Sequence, residues 1–121
     1  MTQGVLVDLS RHWRTLEVLD GGARVRVGPG VVGGMVNSRL AAFGAKLGPD
    51  PASIGACMIG GIVANNSSGM CCGTEFNAYK TLASLRFVLP SGTEIDTAAP
   101  DAEAELRATE PALAADRKSV V

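Results

Sequence analysis

The sequence predicts an α+β fold. Three observations carry it: period-two apolar alternation on either side of an Asp-Gly-Gly turn, an apolar stripe at helical spacing just after it, and a second strand–turn–strand pattern later on. With 121 residues, 46% of them apolar, the chain is long enough for one hydrophobic core and too short for two.

The elements follow in order. Val5, Leu6, Val7 and Leu9 form an apolar, β-branched run bounded by Gly4 and Ser10, which reads as a buried strand. Residues 15–19 alternate like a half-buried strand, Asp20-Gly21-Gly22 supplies a hairpin turn, and residues 23–27 return with strict alternation. Gly28-Pro29-Gly30 stops that strand. Val32, Val36, Leu40 and Phe43 then recur as one apolar stripe before Gly44, predicting an amphipathic helix. Residues 47–53 carry Pro49 and Pro51, which fix φ and bias their predecessors away from helix, so a stiff extended loop is expected. Residues 54–64 are apolar and glycine-rich, and residues 65–69 polar and turn-forming. Residues 82–89 read as a strand that the Pro90-Ser91-Gly92 turn folds back onto residues 94–97. Residues 101–115 have helical propensity, with Pro111 kinking the helix or starting a new turn. Residues 116–121, Asp-Arg-Lys-Ser-Val-Val, are unlike what precedes them and resemble a translated sequencing adapter; they read as a non-native tail.

Composition excludes several classes of partner. Eleven basic against twelve acidic residues leave a net charge of -1, and no basic cluster exceeds Arg117-Lys118, so no nucleic acid or anionic membrane is expected to bind. Cys57, Cys71 and Cys72 are odd in number and lack C-x-x-C spacing, which predicts reduced thiols in a cytosolic protein. The single histidine, His12, lies far from them and reads as a surface residue beside Trp13 and Arg14, so no protein-only metal site is expected. The N-terminus lacks the regions of a signal peptide, and the longest apolar run, residues 54–64, is shorter than the roughly 20 residues of a membrane span.

Gly28-Pro29-Gly30-Val31-Val32-Gly33 satisfies G-x-G-x-x-G between a strand and a helix, and Asp50 stands about where the dinucleotide fingerprint places an acidic residue. Three objections weaken that reading. Pro29 removes an N–H from the turn, the preceding strand belongs to an antiparallel hairpin, and Asp50 sits between prolines. A turn that starts a helix accounts for the same residues; an NAD-binding Rossmann unit stays as the weaker alternative.

Residues 48–73 are more informative. Fifteen glycines beside three Phe, one Tyr and one Trp add little core volume, so special dihedrals or close approach of backbone to a ligand must explain them. The prolines stiffen a loop; Gly55, Gly60 and Gly61 would leave backbone bare; Asn65, Asn66, Ser67 and Ser68 offer short polar side chains. Spacing alone leaves a second reading open: a small-residue helix packed closely on its neighbours, followed by a loop.

The same residues resemble the flavin-binding stretch of vanillyl-alcohol-oxidase (PCMH-type) flavoproteins, which share a Pro-x-Pro-x-Ser loop followed by Ile-Gly-Gly. Residues 59–73, Ile-Gly-Gly-Ile-Val-Ala-Asn-Asn-Ser-Ser-Gly-Met-Cys-Cys-Gly, are most similar to FAD-linked D-2-hydroxyacid dehydrogenases of the D-lactate and D-2-hydroxyglutarate type, in the large form fused to an iron–sulfur domain. The likeness runs from Gly4 to about Thr97. It implies an α+β fragment of a PCMH-type FAD-binding domain, with β-hairpins and packed helices, over residues 1–115. The family's glycine-rich pyrophosphate loop would precede residue 5. The substrate domain and any iron–sulfur cluster would lie elsewhere in a cytoplasmic parent, peripheral to the inner membrane, so no catalytic residue falls in this chain. The resemblance implies that Pro49, Asp50, Pro51, Ala52 and Ser53 pass near the FAD pyrophosphate and ribose. Cys57, Met58, Ile59, Gly60 and Gly61 would give backbone contacts, Ala64, Asn65, Asn66, Ser67 and Gly69 would lie near the isoalloxazine, and Val88 would face the adenine. Many relatives have Asn where this chain has Ile62 and Tyr-Gly in place of its Met-Cys-Cys-Gly; both departures point to the large subfamily. The parent would oxidise a D-2-hydroxyacid by hydride transfer to flavin, the fragment alone being inactive. The alternative from another class is a non-catalytic α+β interaction module.

Overall fold

A computed structural model describes residues 3–112. Where length suggested one core, the chain separates into two compact units, Met1–Thr81 and Leu82–Val121.

In the first unit, β1 (Leu16–Leu19) pairs antiparallel with β2 (Arg24–Val27), Val18 facing Val25 and Glu17 facing Arg26. The two-residue period puts Leu16, Val18, Val25 and Val27 on one face, against a buried cluster of Val31, Val36 and Leu40. Glu17 and Arg26 form an exposed ion pair at 3.3 Å. A short 3-10 turn, Asp20–Gly22, joins the strands with φ of 51°, 63° and 100°, a run of left-handed backbone that two glycines make accessible.

The predicted helix is α1 (Gly33–Leu40), with Val36 and Leu40 buried on the hairpin side. It tightens into a 3-10 turn, Ala41–Phe43, and ends at Gly44 with φ of 68°. Phe43 therefore leaves the apolar stripe: the tighter winding rotates it off the α-helical face, and it lies beside Gly22, 51% exposed. Asn37 Oδ1 accepts the Leu47 N–H at 2.8 Å and ties the following loop to the helix.

The predicted strand at residues 5–9 does not form. Val5, Leu6 and Val7 are 94%, 95% and 66% exposed. A strand needs a neighbour for its N–H and C=O groups, and no described segment pairs with these residues. Farther on, α2 (Ile59–Ala64) buries Ile62, and α3 (Ala78–Thr81) buries Ala78.

In the second unit, β3 (Arg86–Val88) pairs antiparallel with β4 (Glu94–Asp96), Phe87 facing Ile95. Leu85 and Thr97 extend the ladder by one pair, and residues 82–84 stay irregular because the partner strand ends there. Leu89 and Ile95 are buried, while Arg86 lies near both Glu94 and Asp96. The last helix, α4 (Ala102–Thr109), stops before Pro111, with Glu110 out of helical geometry as a pre-proline residue should be. Residues 111–112 begin a further turn. The expected continuation to residue 115 and the tail at 116–121 lie outside the described residues. Among those described, no helix is long and apolar enough to cross a membrane.

Candidate cofactor site

The G-x-G-x-x-G segment turns its glycines inward. Gly28 N–H donates to Thr15 O at 2.8 Å, Gly30 N–H to Trp13 O at 3.0 Å and Gly33 N–H to Cys57 O at 2.9 Å. A methyl group on Gly28 would overlap the Trp13 carbonyl, one on Gly30 the Leu9 carbonyl, and one on Gly33 the Ile54 side chain. Even Gly34 N–H, in the first turn of α1, is held by Ile54 O at 2.8 Å. These glycines let other backbone pack closely. With their N–H groups engaged within the chain, the turn and helix start cannot cradle a pyrophosphate as the Rossmann fingerprint does, and that alternative falls.

The same turn positions α2. Ile59 N–H donates to Val31 O at 2.9 Å and Gly60 N–H to Pro29 O at 3.0 Å, and Val32 bridges Met58 antiparallel. Gly60 is thus a packing residue rather than bare backbone, since an added Cβ would come within 2.8 Å of Pro29 Cβ. Cys57 N–H is likewise held, by Ser53 O at 2.9 Å. Gly55 and Gly61 differ: both are exposed, nothing stands within 4 Å of an added Cβ, and neither N–H has a partner among the described residues. Of residues 57–61, Met58 and Gly61 have an N–H without a partner among the described residues.

Two loops flank this stretch in the sequence. Residues 49–53 lead from a buried Pro49 into a compact turn in which Ile54 N–H donates to Pro51 O and Ala56 N–H to Ser53 O. Residues 65–69 are joined to that loop where Asp50 N–H donates to Ser68 O at 2.7 Å. Asn66, expected to offer its side chain to a ligand, takes left-handed backbone (φ 46°) and accepts the Tyr79 N–H at Oδ1, 3.0 Å away. Ser67 is tied on both sides, its N–H to Ile62 O at 2.9 Å and its O to Ala78 N–H at 3.0 Å. Ala64, Asn65 and Ser68 remain exposed.

Residues 49–53, 57–61 and 64–69 thus come together in the first unit. Val88 belongs to the second unit, on β3, and is 66% exposed. A hollow of about 180 Å³, lined by Ser10, Arg14, Gly30, Val31, Val32, Met35 and Met58, adjoins the Met58 bridge. It is smaller than the several hundred Å³ of an ordinary ligand pocket, so this hollow cannot by itself enclose a dinucleotide. Ser10, Arg14 and Met35 were not legible as neighbours of Met58, because no local spacing rule joins them. Ser10 has a separate effect: its hydroxyl and N–H hydrogen-bond the Asp8 carboxylate and hold it below the ordinary carboxylate range.

This arrangement fits a flat, anionic cofactor. N–H groups at Gly55, Met58 and Gly61 that have no partner among the described residues provide donors, the two glycines leave open space, and Asn65 and Ser68 are exposed polar residues of the following loop.

Comparison with known proteins agrees with the geometry. Residues 1–98 match the profile of a family described as FAD binding domain. Glycolate oxidase subunit GlcD of Escherichia coli is 38% identical over 72 residues, 60% of this chain and 14% of that protein. The D-2-hydroxyglutarate dehydrogenases of Pantoea ananatis and Escherichia coli are 34% and 30% identical over 98 residues, 80% of this chain and 10% of each of them. The chain therefore spans a small part of the length of the curated relatives it matches. No solved structure matches it. The family match covers most of the chain, and its donor-rich glycine edge suits the cofactor concerned: this chain belongs to the FAD-binding domain family, with FAD as its cofactor.

Proposed function

We propose that this chain is the FAD-holding segment of a flavoprotein oxidoreductase that converts a D-2-hydroxyacid to the 2-oxoacid. The observation that carries the binding role is the uncovered backbone at Gly55 and at Gly61, whose N–H groups have no partner among the described residues, in the stretch between loops 49–53 and 65–69. Residues 49–53 with Met58 and Gly61 would hold the phosphate and ribose side of FAD, and residues 64–69 would lie beside its ring. Bound flavin supplies a hydride acceptor at N5. The chain's own part is to bind and orient that ring. Ile62, buried at 2% exposure, anchors α2 while Gly61 stays open. The hydroxyacid class is supported by the names of the relatives, glycolate oxidase and D-2-hydroxyglutarate dehydrogenase. A cytoplasmic setting is supported by an exposed free thiol, Cys71.

Titration of the chain with FAD, followed by quenching of flavin fluorescence, tests the binding role. Saturable quenching is expected, and Gly61→Val should weaken it about tenfold, or about 1.4 kcal/mol, by filling the open space without disturbing the fold. Unquenched flavin at every FAD concentration would overturn the reading. The substrate class is tested on the full-length protein by anaerobic flavin bleaching: D-lactate or D-2-hydroxyglutarate should bleach it and the L-forms should not.

A further inference from the structure

We infer that Gly69 is a positioning residue that fixes the gap between the two flavin-facing loops by admitting the Asp50 carbonyl against its own backbone. The inference rests on the FAD-binding reading above and adds a role for a residue 19 positions from its partner. Gly69 has φ of 135°, a conformation that L side chains rarely adopt. A methyl group there would overlap both atoms of the Asp50 carbonyl and stand 3.1 Å from Pro51 N. Next to this close approach, Asp50 N–H donates to Ser68 O at 2.7 Å. The two loops are therefore joined backbone to backbone at Asp50, Ser68 and Gly69.

Neither side can give way easily. Asp50 lies between Pro49 and Pro51, whose rings fix φ, and Pro49 is buried. Residues 66–67 are held by α2 and α3 through Ile62 O, Tyr79 N–H and Ala78 N–H, and the buried Cys72 thiol donates toward Gly69 O at 3.4 Å. Other glycines provide a contrast. Gly44 and Gly73 also have positive φ, 68° and 56°, but an added Cβ would meet nothing within 4 Å. A side chain at those positions strains φ alone. At Gly69 it must also push residues 49–53 away from residues 65–69, widening the space in which FAD is held.

The test compares the chain with Gly69→Ala and Gly44→Ala, using FAD titration and hydrogen exchange of the Asp50 amide. Gly69→Ala should raise the FAD dissociation constant about tenfold or more and release the Asp50 amide to fast exchange; Gly44→Ala, strained but unobstructed, should do neither. FAD binding by Gly69→Ala within about twofold of wild type, or a still-protected Asp50 amide, overturns the inference. A wild-type chain that binds no FAD yet loses Asp50 protection on Gly69→Ala substitution establishes the junction and overturns the flavin reading, so the two failures are distinguishable. If circular dichroism shows Gly69→Ala unfolded, the wild type decides: saturating FAD should slow Asp50 exchange further, and an unchanged rate overturns the proposal.

Discussion

Gly28 sits where the backbone entering β1 comes close, its N–H on Thr15 O and the Trp13 carbonyl where a Cβ would stand. Gly28→Ala must separate these segments or break that hydrogen bond, and a loss of about 2 kcal/mol in urea unfolding is expected. NADH titration should give no signal with either form, since the turn is a packing device. Why the sequence could not decide this is clear from the residues: G-x-G-x-x-G reads the same whether its glycines admit a phosphate or a carbonyl, and the deciding partners, Leu9, Trp13, Ile54 and Cys57, lie outside the motif. Asp8 makes a second prediction. Because Ser10 lowers its folded pKa, the stabilisation is complete above the ordinary carboxylate range and is lost as pH falls through the lowered value. NMR titration should place the Asp8 midpoint below that of an unstructured peptide, and Ser10→Ala should raise it.

Elements with a strict period were legible. Alternation predicted the first hairpin and the Val32, Val36, Leu40 spacing predicted α1, because one face of each is covered within this chain, while the second hairpin was readable from its Pro90-Ser91-Gly92 turn. Val36 is wholly buried, so Val36→Ala should lower stability by about 2 kcal/mol, whereas Met35→Ala, at a site 47% exposed, should change it little; urea midpoints distinguish them. Residues 5–9 show the limit of the same rule. Their apolar run predicts burial only if something packs on it, and no described segment pairs with it. The glycine-rich stretch was legible as two rival readings, and α2 contains parts of both: Gly60 packs on Pro29 as in a close-packed helix, while Gly61 leaves its backbone open. Adjacent glycines with opposite tasks cannot be told apart by composition. The join between Asp50 and Ser68 was likewise out of reach, since it depends on how two loops fold back together.

The two units differ in what can hold them. The first buries Val31, Val36, Leu40, Ile62, Cys72 and Ala78, and ties Ile59 and Gly60 to the Gly-Pro-Gly turn. The second has strands of three residues, an α4 with no buried residue, and Leu89 and Ile95 as its buried apolar residues. A hairpin this short with so little apolar cover is marginal by itself, and local opening follows the least buried segment. Native-state hydrogen exchange should therefore show the Leu89 and Thr97 amides exchanging about tenfold or more faster than those of Ile59 and Gly33, all four being hydrogen-bonded. The reverse order would mean that the second unit has support its own residues do not reveal. FAD extends the test, since a ligand that binds only the folded state stabilises it by RT ln(1 + [L]/Kd), about 2.7 kcal/mol at a hundredfold excess over Kd. Binding at residues 49–69 should slow Ile59 and Gly33 exchange by up to about a hundredfold wherever exchange requires that unit to unfold. Unchanged rates at these two amides under saturating FAD would place the cofactor's binding energy somewhere other than the glycine edge.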